Sequence, residues 1–297
     1  MSTPLQPGQV KPINALQSQN VRRQTAESWG DKLDGYGQEC MIFYGEWRAG
    51  KTNGYLDVIQ TAHMLDDRTR AFVINTDKSL RRNIEEFPYL DSQGIVHVKE
   101  VKTIEDLFIN TSTLVGSGFL KPTDWIVIDL ASWVWEKIPD FYARTILGKT
   151  QDEIETEYAK DGNFKGSAML AYYKSGINPM WYRWDEALRE SGAHVILVSG
   201  EKALTEDAIP GVKKADKNET IRAFQSIGTV PMLQRSCPFS YHTIIHFSQP
   251  YTKKFYVQTA GEKGKRAWIK RTCLNEPGKE ISFGDLYLRD IAGWEEK

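Results

Sequence analysis

The chain has 297 residues, 40% hydrophobic and 26% charged, with a formal net charge of -1. That composition is ordinary for a globular protein and is enough for one large core or two modest ones, and the near-neutral charge supplies no global basic field for nucleic acid. No apolar run approaches the ~20 residues of a membrane helix, no apolar signal core opens the chain, and Cys40, Cys237 and Cys273 have no metal-binding or disulfide spacing, so a cytoplasmic protein with reduced thiols and no membrane partner is expected.

Residues 1–30 are rich in Pro, Gln, Ser and Asn and read as a flexible N-terminal arm, with a short helix near 15–26. Residues 31–297 read as a single domain. The apolar run 41–44 predicts a short buried strand. Gly45, Glu46, Trp47, Arg48, Ala49, Gly50, Lys51 and Thr52 then spell G-x-x-x-x-G-K-[ST]. Apolar residues at helical spacing follow, from Tyr55 to Leu65, so the motif sits between a strand and a helix.

A strand is predicted at 70–77, a short helix at 79–87 closed by Pro88, and a short strand at 96–98. Thr103 precedes a helix over 104–114. Residues 124–129 (DWIVID) predict a buried strand ending in a carboxylate, Asp129. A turn is expected at 137–140 through Pro139 and an acidic helix at 150–158. Residues 136–175 together read as an insertion or lid over the sheet's C-terminal edge. Trp181, Trp184, Ala187 and Leu188 form a helical stripe, read as a core face rather than a binding surface. A buried strand at 193–199, a mobile loop at 205–222, and strands at 241–247, 254–259 and 266–271 complete the chain. Strands alternating with helices, then hairpin-like strands, imply an α/β fold, mainly parallel, with an antiparallel edge near the C-terminus.

The loop's chemistry follows from its residue types. Gly45 and Gly50 let backbone N–H groups approach phosphate oxygens, and the helix start favours the same anion. Lys51 would reach the β- and γ-phosphates and Thr52 would ligate Mg²⁺; Asn53 completes the nucleotide-binding stretch. Asp129 is the second metal-organising acid, with Lys51 and Asp129 counted among the catalytic residues. Ser199 and Glu201, at the end of the 193–199 strand, are candidate γ-phosphate sensors. The five His residues have no metal-ligand spacing and are read as structural.

The order of these motifs is similar to that of the RecA-like ATPases of bacteriophages. That group of P-loop, AAA-type domains includes single-strand annealing and recombination proteins. The resemblance covers about 41–271. It implies a RecA-like P-loop NTPase core, ATP and Mg²⁺ as cofactors, a homo-oligomeric ring or filament, single-stranded DNA as partner, and action in the cytoplasm of an infected host cell if the protein is viral. It also implies that the carboxylate acting on the attacking water follows the second strand, where this chain has Asp77 in place of the usual Glu. A helix cap is the alternative reading of Asp77. Basic residues near the last strands would act as trans fingers, here Lys263, Lys265 and Arg266; a solvated hairpin tip is the other reading. The DNA-binding candidates are Lys165, Tyr172, Tyr173, Lys174, Lys213 and Lys214. Other readings are a ring ATPase for packaging or helicase loading, a nucleotide-binding structural protein with little turnover, and a small-molecule kinase.

Overall fold

A computed structural model describes residues 37–77, 80–160, 172–205, 218–263 and 268–295. The N-terminal arm, most of the expected loop at 205–222, and Lys165, Lys213, Lys214, Lys265 and Arg266 lie outside the described residues.

Eight strands form one sheet. In chain order the first are β1 (Cys40–Gly45), β2 (Ala71–Asn75), β3 (Val96–Glu100), β4 (Trp125–Asp129) and β5 (His194–Ser199). After two short strands outside this sheet, β6 (Glu201–Ala203) and β7 (Thr229–Pro231), come β8 (Thr243–Tyr251), β9 (Lys254–Glu262) and β10 (Thr272–Cys273). The spatial order is β10-β9-β8-β1-β5-β4-β2-β3. The pairs from β3 across to β8 are parallel, and β9 and β10 add antiparallel strands. This is an α/β fold, mainly parallel, with an antiparallel edge near the C-terminus. β1, β4 and β5 are buried at every position, which is why they read as continuous apolar runs rather than alternating ones.

The connecting helices cover the sheet. The first, α1 (Lys51–Leu65), buries Tyr55, Leu56, Val58, Ile59, Ala62 and Leu65. Two short helices follow, α2 (Leu80–Ile84) and α3 (Pro88–Ser92). Pro88 was expected only to end a helix; it opens the next one, where its missing N–H costs nothing. Thr103 caps α4 (Ile104–Gly116), its hydroxyl accepting from the Asp106 N–H at 3.1 Å.

The largest departures from expectation lie between β4 and β5. The turn expected through Pro139 is instead the interior of α5 (Ala131–Tyr142), which continues into a π-helical turn, Ala143–Leu147. Then come α6 (Gln151–Lys160), a second π-helical turn, Tyr173–Ile177, and α7 (Asn178–Arg189). Ile138, Ala143, Ile154 and Tyr172, from the segment read as a lid, are buried in the same core as β1, β4 and β5. Trp181, Trp184 and Leu188 of the helical stripe join them.

Near the C-terminus, part of the segment expected as a loop is a helix, α8 (Glu219–Ile227). Asn218 caps it, accepting from the Ile221 N–H at 3.1 Å, and Gly228 closes it in the left-handed region. The strand expected at 266–271 is displaced. Ile269 exchanges two hydrogen bonds with Thr259, and regular pairing with β9 resumes only at Thr272 and Cys273. Among the described residues, no helix is long and apolar enough to cross a membrane.

Candidate nucleotide site

The phosphate loop leaves β1 at its C-terminal edge. Gly45 has φ +150°, and a β-carbon there would stand 1.9 Å from the Phe247 carbonyl oxygen. Gly50, at φ +89°, is the residue before α1. Both positions need glycine, the first because β8 backbone crowds it and the second because its conformation is left-handed. Between them the loop tip presents Trp47, 79% exposed, with the Arg48 guanidinium 4.1 Å from its ring centroid. Ala49 turns inward and is buried.

Lys51 folds back over the loop. Its Nζ donates to the Gly45 carbonyl at 3.0 Å and the Glu46 carbonyl at 2.6 Å. Burial lowers the ammonium's pKa, opposed by the charges of Asp129, Glu201, Asp77 and Glu46, in falling order of influence. The net effect is a lowered pKa, with burial outweighing the four carboxylate charges.

Directly below, the Thr52 hydroxyl donates to Asp129 Oδ2 at 3.3 Å. Asp129 is fully buried, and its pKa is raised to about 7. Burial is the main cause and the Asp77 charge the second, while Tyr55, Lys51 and Thr52 pull the other way. The Tyr55 hydroxyl is buried beside Asp129, where its interaction with the carboxylate favours the charged form. A carboxylate held at so costly a site, facing the Thr52 hydroxyl beneath the phosphate loop, fits a place built for a hydrated cation. Among the described residues no cluster of three or more His, Cys, Asp or Glu gathers to hold a metal. Mg²⁺ commonly takes one or two protein ligands and completes its shell with water and substrate phosphates.

The neighbouring strand ends complete the rim. Asp77 is exposed just past β2. Its neighbour Thr76 is tied to the β4 end: the Thr76 N–H donates to the Asp129 carbonyl at 2.6 Å, and its hydroxyl accepts from the Leu130 N–H at 2.8 Å. The helix cap that Asp77 could have formed falls partly on residues 78–79, outside the described ones. Ser199 is fully buried; its hydroxyl donates to the Gly200 carbonyl and accepts from the Met232 N–H. Glu201 is half-buried, accepting from Thr229 Oγ1 at 2.9 Å and from His246 Nε2 at 2.9 Å. Sequence reasoning assigned His246 only a structural role, and a single His in a strand carries no signal that would have tied it to Glu201.

A cavity of about 280 Å³ opens beside the loop. Gly50, Asn53, Gly54 and Asp57 form its floor along one face of α1, and Phe87, Phe247, Phe255 and Phe283 form its walls. Asp57 is already engaged, accepting from Ser282 Oγ and the Gly284 N–H at 3.1 Å, and so ties the C-terminal segment to α1. None of the four Phe residues had a sequence signal, because they come from four separate segments.

The remaining candidates scatter. Tyr172 is buried and its hydroxyl donates to the Pro139 carbonyl at 2.7 Å, so it offers no ring face to a base. Tyr173 is partly exposed and Lys174 exposed. Lys263 lies at the opposite edge of the sheet from the loop, where its N–H donates to the carbonyl of His242 at the start of β8. It is remote from its own chain's phosphate loop.

No family model and no curated protein matches the chain. Among solved structures it is similar to a KaiC-like protein from the hyperthermophilic archaeon Pyrococcus horikoshii OT3, at 13% identity and a TM-score of 0.44, covering 83% of this chain and 90% of the other.

Proposed function

We propose that the chain is an ATP-binding and hydrolysing RecA-like protein that works as an oligomer on single-stranded DNA in phage recombination, repair or replication. One observation carries the ATP part: the Thr52–Asp129 contact directly beneath a loop whose lysine has, among the described residues, only backbone carbonyls as hydrogen-bond partners. Phosphate oxygens would take over Lys51 from the Gly45 and Glu46 carbonyls. Thr52 and Asp129 would hold Mg²⁺, which when bound neutralises charge developing on the β- and γ-phosphates. Asp77 stands at the rim as the base for the attacking water.

The base would enter the aromatic cavity. At about 280 Å³ it is smaller than the roughly 300–1,000 Å³ of sites that enclose a whole small molecule, which suits a base with ribose and phosphates outside. Two features support shared sites between copies. Trp47 and Arg48 expose at the loop tip the residue types that most often anchor interfaces. Lys263, remote from its own chain's loop, is the described trans-finger candidate for a neighbour's nucleotide. The DNA part rests on the resemblance in motif order, with Tyr173 and Lys174 as the described candidates for stacking and backbone contact.

The test is steady-state phosphate release from ATP, with and without single-stranded DNA, at low salt. Clear stimulation by DNA supports the reading. Turnover indifferent to DNA would shift it to a protein-directed motor. Binding without turnover would leave a nucleotide-binding structural protein.

A further inference from the structure

The hairpin that follows β5 carries a cluster of charge apart from the phosphate loop. Its strands β6 and β7 pair antiparallel, with Lys202 opposite Val230. Glu201 and Lys202 are consecutive in β6, so their side chains leave on opposite sides. Glu201 turns to His246, whereas Lys202 turns to the segment after β7, its Nζ donating to the Leu233 carbonyl at 3.4 Å. That segment is fastened just past the end of β5, where the Met232 N–H donates to the Gly200 carbonyl at 2.9 Å.

Gln234 holds the segment in shape. It is buried, and its Oε1 accepts from the Ser236 N–H and hydroxyl, both at 2.7 Å, and from the Cys237 N–H at 3.2 Å. Its Nε2 donates to the Tyr182 hydroxyl at 2.8 Å. The Ser236 hydroxyl proton is spent on Gln234, so the Tyr182 hydroxyl donates to Ser236 Oγ, at 3.0 Å. Tyr182, reaching over from α7, is thereby pinned to the residues on either side of Arg235. Lys202, Tyr182 and Arg235 thus meet at residues 233–236, with Arg235 exposed and Tyr182 41% exposed.

The charge gathered there has one sign. Lys202 is half-buried; burial lowers its pKa, the Arg235 charge lowers it further, and no carboxylate among the described residues pulls the other way. An ammonium has three N–H donors, and one long bond to a carbonyl uses them poorly. Holding a partly desolvated cation against a second cation costs free energy that an anion from outside relieves. We propose that Lys202, Arg235 and Tyr182 form a binding station for single-stranded DNA, the two cations holding backbone phosphates and the Tyr182 ring taking a base. This deepens the DNA part of the proposed function and rests on it. Cations beside an exposed ring suit a chain of phosphates that carries bases, whereas a small anion would use the charges alone.

The experiment follows binding of a fluorescein-labelled oligothymidylate by anisotropy across a salt series. It compares the wild-type chain with Lys202→Gln, Arg235→Gln, the double variant, Lys202→Arg and Tyr182→Leu, and measures ATP turnover without DNA for each. Lys202→Gln and Arg235→Gln should each weaken binding roughly 10-fold at low salt and flatten the slope of log K against log salt by ~0.7, the double variant by about twice that. Lys202→Arg should keep the wild-type slope. Tyr182→Leu should weaken binding by about 10-fold with the slope unchanged, since a lost stacking contact releases no counterions. Turnover without DNA should stay at the wild-type level throughout. Wild-type affinity and slope in the double variant overturn the proposal, as does weaker binding with an unchanged slope, which marks a structural role for the cations. Poly-glutamate that displaces the oligonucleotide as well as unlabelled oligothymidylate does would give the station to an acidic protein and also overturn it. If Lys202→Gln does not fold, exposed Arg235→Gln decides by the same slope. Failure of the DNA reading itself looks different: the wild-type chain then binds no oligonucleotide, whatever its ATP turnover.

Discussion

Gly45 and Phe247 are in backbone contact so close that a single β-carbon on Gly45 would collide with the Phe247 carbonyl oxygen. The contact ties the start of the phosphate loop to β8, which also carries His246. Gly45→Ala should destabilise the chain by at least the 1–3 kcal/mol typical of a strained backbone position, before the clash is counted. Urea unfolding reads this directly. A variant within about 0.5 kcal/mol of wild type would show that the loop and β8 are not packed as described.

Phe255 stands over Gly50 and walls the cavity beside the loop. Phe255→Ala should weaken nucleotide binding by about 1–3 kcal/mol, the usual worth of base stacking on an aromatic ring. Inorganic triphosphate, which has no base, should bind both proteins alike. Equal weakening for both ligands would place the base elsewhere.

Asp129→Asn keeps the shape of the side chain but removes the charge that Thr52 faces. The expected result is loss of the Mg²⁺ dependence of ATP binding, with nucleotide affinity in EDTA little changed. Titrating MgCl₂ against a fixed ATP concentration separates the two proteins. Identical Mg²⁺ curves would remove Asp129 from the metal site.

His194 gives a pH prediction far from the site. It is buried between Trp125 and Trp294, with Nδ1 accepting from the Glu39 N–H at 2.9 Å. Burial lowers its pKa from 6.5 to about 4, against the smaller opposing pull of Glu39 and Asp124. The unfolded chain binds this proton below pH 6.5, and the folded chain only near pH 4. Stability from His194 is thus full above pH 6.5 and lost as pH falls toward 4, at no more than about 1.4 kcal/mol per pH unit. His194→Gln should flatten that part of the profile. An unchanged slope would show that other groups set it.

Much of this architecture was legible in the sequence because the decisive segments are local. The buried runs of β1, β4 and β5 and the Gly45–Thr52 motif each fit within a dozen residues, and the cap at Thr103 needs only its own neighbours. What escaped is what folding assembles from a distance. Pro139 signalled a turn, yet packing of α5 carries it inside a helix, since Ile138 and Val134 must stay on the core face. Lid residues such as Ile154 and Tyr172 proved to be core, because an acidic or aromatic-rich stretch does not reveal which face it buries. The helix after Asn218 could have been found: a capping Asn, apolar Ile221 and Phe224, and a closing Gly228 are a complete local signal. The Glu201–His246 pair, 45 residues apart, could not.

The central claim is that the loop at 45–52 binds and hydrolyses ATP through Lys51. The most direct test is ATP turnover by the wild-type chain and by Lys51→Ala, both confirmed folded by thermal unfolding. Mg²⁺-dependent phosphate release is expected in the wild type, with its loss by at least about 100-fold in the variant. Equal turnover in the two proteins, or none in the wild type while it stays folded, would contradict it.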